Sequence, residues 1–230
     1  MSAIPAPLKA VIFDLDGTLV DTADEFIIVV QALRAEHGRD PMCEDQIRST
    51  VSSGARALVT LALDIAEPAV TTADSEFERK RLRLLELYSE VLGSAAKPYP
   101  GIESLIATLA ERGIAWGIST NKPRAYAFPL MEKLHLTPPP ACLICPDDVR
   151  ETKPHPESLY LSCRQIGCAP HQAIYIGDHQ RDIEAGRRAG MYTIAAAYGY
   201  IESHDDPDQW GANARVEHST ELASLILGNP

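Results

Sequence analysis

The apolar residues of this 230-residue chain follow one spacing before Lys97 and another after it. The chain opens with a short apolar run, Val11–Phe13, which is typical of a strand buried on both faces. From Asp21 onward, apolar residues recur at helical spacing, and one predicted helix covers Asp74–Leu92. Beyond Lys97, apolar runs of strand length alternate with helical segments as far as a last helix, Glu221–Leu227.

The segment before Lys97 is predicted to be an all-helical insertion. The predicted buried faces of its first and last helices consist of Phe26, Ile27, Val29, Val30 and Leu33, and of Phe77, Leu82, Leu85, Tyr88 and Leu92. Breaks near Val20–Thr22 and at Lys97–Gly101 separate this segment from its surroundings and are typical of hinges. We expect a cap over residues 21–97, placed above the carboxyl ends of the strands, where such folds bind ligands.

The segment after Lys97 predicts a regular alternation. The expected strands are Ile114–Thr120, Ala141–Cys145, Ala173–Asp178 and Met191–Ala197. The expected helices between and around them are one that carries Ile102, Leu105, Ile106 and Leu109 and stops at Gly113, and then Ala125–Leu136, Pro156–Gly167 and Asp182–Ala189. Such alternation indicates a parallel, doubly wound α/β sheet with right-handed crossovers. We therefore predict an α/β core made of residues 1–20 and 98–230.

Composition narrows the classes of function. Hydrophobic residues make up 45% of the chain, and its formal net charge is −11 at pH 7. Such an acidic chain is a poor partner for nucleic acid or for an anionic membrane surface. Its longest apolar stretch falls short of the roughly 20 residues that span a bilayer, and the N-terminal segment lacks the apolar run of a signal peptide.

The cysteines point to the compartment. The chain has five of them, an odd number that fits a reducing compartment better than a disulfide framework. Cys142 and Cys145 lie three apart on a predicted strand and are expected as core thiols, because they face opposite sides. We expect a cytoplasmic protein that acts on a small molecule, with no protein partner evident.

Polar residues follow the predicted strands. Asp14 and Asp16 come directly after Val11–Phe13 and, being two apart, are expected to face the same pocket. Gly17 allows the backbone to turn sharply beneath them. Four more polar residues lie at later strand ends or in the loops that follow them: Thr120, Lys153, Asp178 and Asp182. Because parallel strands end at one edge of a sheet, these side chains are predicted to meet there.

Together these motifs resemble those of a known family. The run D-L-D-G-T (Asp14–Thr18), followed in order by Thr120, Lys153 and Asp178, is similar to the four motifs of the haloacid-dehalogenase-like superfamily. The resemblance covers nearly the whole chain. It implies a Rossmann-like core with a helical cap and, for most members, Mg²⁺-dependent phosphatase activity.

The resemblance also implies roles. Asp14 is expected to be the nucleophile that forms an aspartyl-phosphate, and Asp16 the general acid and base, although the residues alone do not decide which carboxylate attacks. Repulsion between a carboxylate and a phosphate, about 4 kcal/mol per charge pair at 4 Å and an effective dielectric near 20, must be offset by cations. Mg²⁺ held by Asp14, Asp178 and the Asp16 carbonyl would supply one, and Lys153 another.

Three further residues complete the expected site. The Thr120 hydroxyl and the backbone N–H of Asn121 are expected to bind phosphoryl oxygens. Asp182 is expected to hold the metal's waters or to orient Lys153, with purely structural support as the alternative. Two histidines nearby, His155 and His179, are expected to be neighbours of the site rather than catalysts.

Other activities on this scaffold stay open. A dehalogenase would share the nucleophilic aspartate, but its halide leaving group needs neither Asp16 nor Mg²⁺. A phosphosugar mutase would keep every motif and differ in its cap. A binding protein without activity would be expected to lack a catalytic position, and none is missing here.

The substrate is indicated by a finer resemblance. Within the phosphoglycolate-phosphatase-like group, the chain is similar to enzymes of cell-wall (peptidoglycan) recycling that hydrolyse N-acetylmuramic acid 6-phosphate, with 2-phosphoglycolate as the alternative substrate. The segments that carry the similarity are Ser53–Val59, Trp116–Pro123, Leu143–Val149 and Tyr198–Ala212. In the cap, Gly54 and Arg56 are expected to contact substrate, because the planar fork of an arginine suits a carboxylate. A solvated surface residue is the alternative for Arg56.

Overall fold

The chain divides into two compact units. A computed structural model describes residues 4–69, 72 and 75–228. A core unit comprises the described residues through Asp21 together with those from Lys97 onward, and a helical unit comprises Thr22–Ala96. Each boundary lies one residue from the one expected from the hydrophobic pattern.

The core unit is built on a parallel sheet. The strands of the described chain are β1 (Ala10–Phe13), β2 (Val20–Asp21), β3 (Lys97–Pro98), β4 (Ala115–Ser119), β5 (Leu143–Ile144), β6 (Ala173–Gly177), β7 (Tyr192–Ala196) and β8 (Ala214–Val216). Six of them form one sheet in the order β5-β4-β1-β6-β7-β8, and every neighbouring pair in it is parallel. This confirms the predicted α/β class, with β1 central between β4 and β6.

Helices connect these strands and form the second unit. The described helices are α1 (Ala23–Glu36), α2 (Glu44–Thr50), α3 (Gly54–Leu63), α4 (Glu76–Val91), α5 (Ile102–Glu111), α6 (Arg124–Leu134), α7 (Glu157–Ile166), α8 (Gln180–Ala189) and α9 (Glu221–Leu227). The predicted start of α4, Asp74, lies outside the described residues. Ser75 caps α4, because its side chain accepts the backbone N–H of Glu78.

Three strands were not anticipated as strands. β2 and β3 form a separate antiparallel pair at the segments predicted as hinges, with Val20 opposite Pro98 and Asp21 opposite Lys97. β8 pairs with β7 at one edge of the sheet. Its three residues, Ala-Arg-Val, are too few to show a hydrophobic period, so only pairing with a neighbour marks them as a strand.

In the helical unit, the buried face of α4 differs from the predicted one. In α1 the predicted residues are buried except Ile27, which is half-buried. In α4, Phe77 and Tyr88 are buried as predicted, but Leu82 is 45% exposed and Leu85 is half-buried. Leu84 and Leu87 are buried instead, because they follow Phe77 by seven and ten residues, about two and three turns, and so lie on the same side of the helix. Tyr88 stacks on Phe26 of α1 with ring centroids 4.3 Å apart.

Two expectations from composition can be compared with the structure. All five cysteines are free, and Cys142 and Cys145 are buried, as expected for core thiols. Within the described ranges, none of the helices combines the length and the apolar character that crossing a membrane requires.

Candidate active site

The turn after β1 is the centre of the site. Asp14 follows the fully buried strand and is itself only 5% exposed. Its backbone N–H donates to the carbonyl of Ile176 in β6, 2.8 Å away, which fixes the turn to the neighbouring strand. Gly17 has φ +77°, and a Cβ atom there would lie 2.0 Å from Oδ2 of Asp178. Glycine therefore allows the first and fourth motifs to come into contact.

Lys153 lies at the middle of a buried polar cluster. Its side chain is 0% exposed, and its Nζ lies 2.9 Å from Oδ1 of Asp14 and 2.7 Å from Oδ1 of Asp182. The ammonium also donates to the hydroxyl of Tyr175 at 2.8 Å and to the carbonyl of Ser119 at 3.1 Å. Charge-assisted contacts of this kind hold the ammonium beside the expected nucleophile.

Asp178 is oriented by two donors. The hydroxyl of Thr18, in the turn after β1, donates to Oδ1 at 3.1 Å. The backbone N–H of Tyr200 donates to Oδ2 at 2.9 Å. Each carboxylate oxygen is thus held by a group from a different loop, and Asp178 as a whole is 1% exposed.

The cluster fits a hard divalent cation. One carboxylate oxygen from each of Asp14, Asp178 and Asp182 lies within 4.8 Å of the others, and all three residues are buried. Lys153 is the ammonium that contacts two of them, Asp14 and Asp182. An oxygen-only donor set of three buried carboxylates suits Mg²⁺.

Burial also affects the protons in the cluster. Desolvation raises the pKa of Asp14 above its ordinary value, Lys153 opposes this rise, and the charge of Asp182 adds to it. Burial and the charge of Asp182 raise the pKa of Tyr175 well above its ordinary value. Tyr175 therefore keeps its proton and donates to the carbonyl of Ser119 at 2.9 Å while it accepts from Lys153.

Asp16 has a cationic partner that sequence reasoning missed. Nζ of Lys122 lies 2.9 Å from Oδ1 of Asp16, and the two side chains are 6% and 17% exposed. Lys122 follows Thr120 by two residues and lies in Trp116–Pro123, one of the segments that carry the family resemblance. A lysine in a strand-end loop of so acidic a chain was a usable signal, but its partner lies 106 residues away in sequence.

Thr120 and Asn121 lie at the end of β4 as predicted. The backbone N–H of Lys122 donates to Oγ1 of Thr120 at 3.1 Å, which leaves the hydroxyl proton of Thr120 available for a phosphoryl oxygen. The side-chain amide of Asn121 donates to the carbonyl of Lys153 at 3.1 Å and accepts its backbone N–H at 3.2 Å. Asn121 therefore positions Lys153 through its backbone.

Asp182 combines two of the roles considered for it. Oδ1 pairs with Lys153, while Oδ2 accepts the backbone N–H of His179 at 3.1 Å. The second contact caps α8, which begins two residues before the predicted start.

The two histidines near the site accept backbone N–H groups. Nδ1 of His179 accepts the backbone N–H of Arg181 at 3.2 Å, and burial lowers the pKa of His179 to about 4. Nδ1 of His155 likewise accepts a backbone N–H, that of Glu157.

The cap residues lie in the helical unit. Gly54 begins α3 with φ +85°, and Arg56 lies in its first turn. Nε of Arg56 donates to Glu67 at 2.6 Å, and its guanidinium lies 5.1 Å from the centre of the Phe77 ring. A terminal guanidinium nitrogen donates to the carbonyl of Pro68 at 3.0 Å. These contacts give Arg56 partners within the helical unit. Contact of Gly54 or Arg56 with a substrate stays a prediction.

Comparison with known proteins agrees with this geometry. Residues 11–196 match the model of the haloacid dehalogenase-like hydrolase family. The chain is 44% identical over 220 residues to an N-acetylmuramic acid 6-phosphate phosphatase of Pseudomonas aeruginosa, covering 95% of both chains. It is 38% identical over 215 residues to a phosphoglycolate phosphatase of Xanthomonas campestris pv. campestris, covering 93% of this chain and 94% of the relative.

A solved structure shares the same architecture. The crystal structure of a predicted phosphoglycolate phosphatase from Haemophilus somnus matches with a TM-score of 0.80 and 25% identity. The match covers 94% of this chain and 96% of that one. Since the motifs, the sheet order and the family match all agree, the chain belongs to the haloacid dehalogenase-like hydrolase family.

Proposed function

We propose that this protein is a Mg²⁺-dependent phosphatase that hydrolyses N-acetylmuramic acid 6-phosphate through an aspartyl-phosphate intermediate. The observation that carries the chemistry is the buried cluster in which Lys153 contacts both Asp14 and Asp182 beside Asp178. A carboxylate held next to an ammonium and within a potential metal site is the arrangement that attack on a phosphate dianion needs. The cytoplasmic location expected from composition is part of this proposal.

Asp14 is assigned as the nucleophile. A carboxylate oxygen of Asp14 forms a bond to phosphorus while the bond from phosphorus to the sugar oxygen breaks. Asp16 gives a proton to the departing alkoxide and later takes one from the water that hydrolyses the aspartyl-phosphate. Lys153 offsets charge on the phosphoryl group, and the Thr120 hydroxyl donates to one of its oxygens.

The cluster supports a metal in this reaction. The carboxylates of Asp14 and Asp178 and the backbone carbonyl of Asp16 would hold Mg²⁺. The ion supplies charge neutralisation for the phosphoryl group. Thr18 and Tyr200 serve it indirectly, because their hydrogen bonds keep both oxygens of Asp178 oriented.

The substrate follows from the relatives. Those that are 44% and 42% identical are named N-acetylmuramic acid 6-phosphate phosphatases, and one at 38% is named phosphoglycolate phosphatase. The lactyl group of N-acetylmuramic acid 6-phosphate and 2-phosphoglycolate both carry a carboxylate. 2-Phosphoglycolate is therefore the second candidate substrate.

Release of inorganic phosphate tests the proposal. We expect kcat/KM to be higher for N-acetylmuramic acid 6-phosphate than for either 2-phosphoglycolate or N-acetylglucosamine 6-phosphate. Activity should vanish in a chelator and return when Mg²⁺ is added in excess. A higher kcat/KM for 2-phosphoglycolate would support the second candidate, and chelator-insensitive turnover would contradict the metal assignment.

Substitution of Arg56 tests how the lactyl carboxylate is selected. We propose that Arg56 binds this carboxylate, so Arg56→Ala should narrow the preference for N-acetylmuramic acid 6-phosphate over N-acetylglucosamine 6-phosphate. A hydrogen bond to a charged group is worth about 1.5–3 kcal/mol, so the ratio of kcat/KM values should fall by about 10- to 150-fold.

Glu67→Gln is the matched control, because it removes the charge that Arg56 contacts in the structure. If Arg56 serves only to hold Glu67, both variants should change the ratio equally or leave it alone. If Arg56 selects the carboxylate, Arg56→Ala alone should lower the ratio. The melting temperatures of both variants should stay close to that of the wild type, since exposed ion pairs contribute only about 0–1 kcal/mol to stability.

A further inference from the structure

Tyr200 makes polar contacts with two different parts of the core unit. Its backbone N–H donates to Oδ2 of Asp178 at 2.9 Å. Its phenol hydroxyl donates to Oδ1 of Asp21 at 2.7 Å, a charge-assisted hydrogen bond. The residue is only 3% exposed, so its ring and backbone cannot shift independently of the surrounding core.

The rest of the loop after β7 is packed closely on the turn after β1. A Cβ atom at Gly199 would lie 2.2 Å from Cβ of Asp178 and 2.5 Å from the carbonyl oxygen of Gly17. The phenol of Tyr198 donates to the carbonyl of Thr18 at 2.8 Å. The loop therefore follows any displacement of the turn, and the turn follows any displacement of the loop.

Asp21 lies where the chain leaves the core unit. It is the last residue of β2, it pairs with Lys97 of β3, and the helical unit begins at Thr22. Asp21 and Lys97 are thus the core-unit ends of both connections between the two units. We call β2 and β3, which lie at the two segments predicted as hinges, the hinge pair. A contact to Asp21 therefore acts on the hinge pair.

We propose that Tyr200 is a positioning residue that couples the orientation of Asp178 to the hinge strand β2. The inference rests on the proposed role of Asp178 as a Mg²⁺ ligand. One buried residue bonds Asp21 through its side-chain hydroxyl and Asp178 through its backbone N–H, so a displacement of Asp21 reorients the carboxylate that binds the metal. In return, occupation of the metal site restrains β2.

Calorimetric titration of the metal-free protein with Mg²⁺ measures one direction of this coupling. Tyr200→Phe removes the hydroxyl and keeps the ring and the amide. We expect its Kd for Mg²⁺ to rise by about 3- to 10-fold, below the 10- to 100-fold typical of groups that contact a metal ligand directly through their side chains. Asp21→Ala should match this rise, whereas Asp21→Asn, which keeps an acceptor, should stay near wild type.

Hydrogen exchange measures the other direction. The amides of Val20 and Tyr99 donate to the carbonyls of Leu15 and Leu19 beside the hinge pair. We expect Mg²⁺ to slow their exchange in the wild type and to have no such effect in Tyr200→Phe. Tyr160→Phe is the control, because the phenol of Tyr160 donates to the carbonyl of Arg188 and the residue is 43% exposed. It should behave as wild type in both measurements.

The double variant Tyr200→Phe/Asp21→Ala separates coupling from general weakening. If the phenol of Tyr200 and the carboxylate of Asp21 act as one unit, the double variant should bind Mg²⁺ as weakly as either single variant. Additive losses, or a Tyr200→Phe protein with wild-type Kd and exchange, would overturn the coupling while leaving the phosphatase assignment intact. A wild type that binds no Mg²⁺ would overturn the metal-dependent function and the coupling with it.

Discussion

Asp14→Asn is expected to abolish turnover while the protein stays folded. An amide cannot attack phosphorus, and losing a covalent nucleophile should lower kcat by at least about 10⁴-fold. Phosphate release from N-acetylmuramic acid 6-phosphate measures the loss, and mass spectrometry should detect no phosphoenzyme. A variant with near-normal turnover would refute the assignment of Asp14.

The same substitution should stabilise the metal-free protein. Because burial raises the pKa of Asp14, the folded state keeps a proton that the unfolded chain has already lost as the pH rises. The free energy of unfolding of the wild type therefore falls as the pH rises from the pKa of Asp14 in the unfolded chain to its higher pKa in the folded protein. Asparagine does not titrate and removes this loss. At neutral pH the melting temperature of Asp14→Asn should exceed that of the wild type by about 2–4 °C for each kcal/mol relieved. Lys153 retains a partner in Asp182, 2.7 Å away.

Lys153→Met should have the opposite effect on stability and a large effect on rate. It leaves Asp14 and Asp182 buried without their ammonium, and breaking a buried ion pair costs about 3–5 kcal/mol. At about 2–4 °C per kcal/mol, the metal-free protein should melt about 6–20 °C below wild type. Removing this stabiliser of the phosphoryl charge should also lower kcat by about 10²- to 10³-fold.

A surface lysine is the control for this variant. Lys80→Met removes an ammonium that pairs with Glu76 one turn away on α4. Such a pair is worth about 0.3–0.5 kcal/mol, so the melting temperature should change by no more than about 2 °C. Added Mg²⁺ should recover part of the stability that Lys153→Met loses and have little effect on Lys80→Met. Equal melting of the two variants would contradict a buried charge cluster centred on Lys153.

The location of the site could be predicted from sequence because it depends on regular patterns. Strands alternating with helices indicated a parallel sheet, and the carboxyl ends of parallel strands share one edge. Asp14, Lys153, Asp178 and Asp182 follow predicted strands, and the structure brings them together as expected. The turn at Gly17 was predictable for a similar reason, since a glycine after two aspartates indicates a sharp change of direction.

Helix faces and short strands were predicted less well. The predicted face of α4 included Leu82, although Leu84, seven residues after Phe77, fits the helical spacing better. The side of α4 that stacks on α1 through Tyr88 buries Leu84 and leaves Leu82 exposed. β8 depends on its pairing with β7, and the start of α8 depends on the cap formed by Asp182 and His179. The pairing partner of β8 lies outside its own segment, and the residues that cap α8 lie at the edge of its hydrophobic pattern. Local periodicity therefore predicts neither.

What the sequence by itself determined is the fold class, the order of the motifs and the sheet edge at which they meet. The tertiary structure alone decided which charged groups pair there. Lys122 contacts Asp16 across 106 residues, and Tyr200 contacts Asp21 across 179. Hydrophobic periodicity records whether a position faces the core, but it holds no information about which distant side chain will lie opposite. That choice follows from strand order and loop packing, which exist only once the whole sheet has formed.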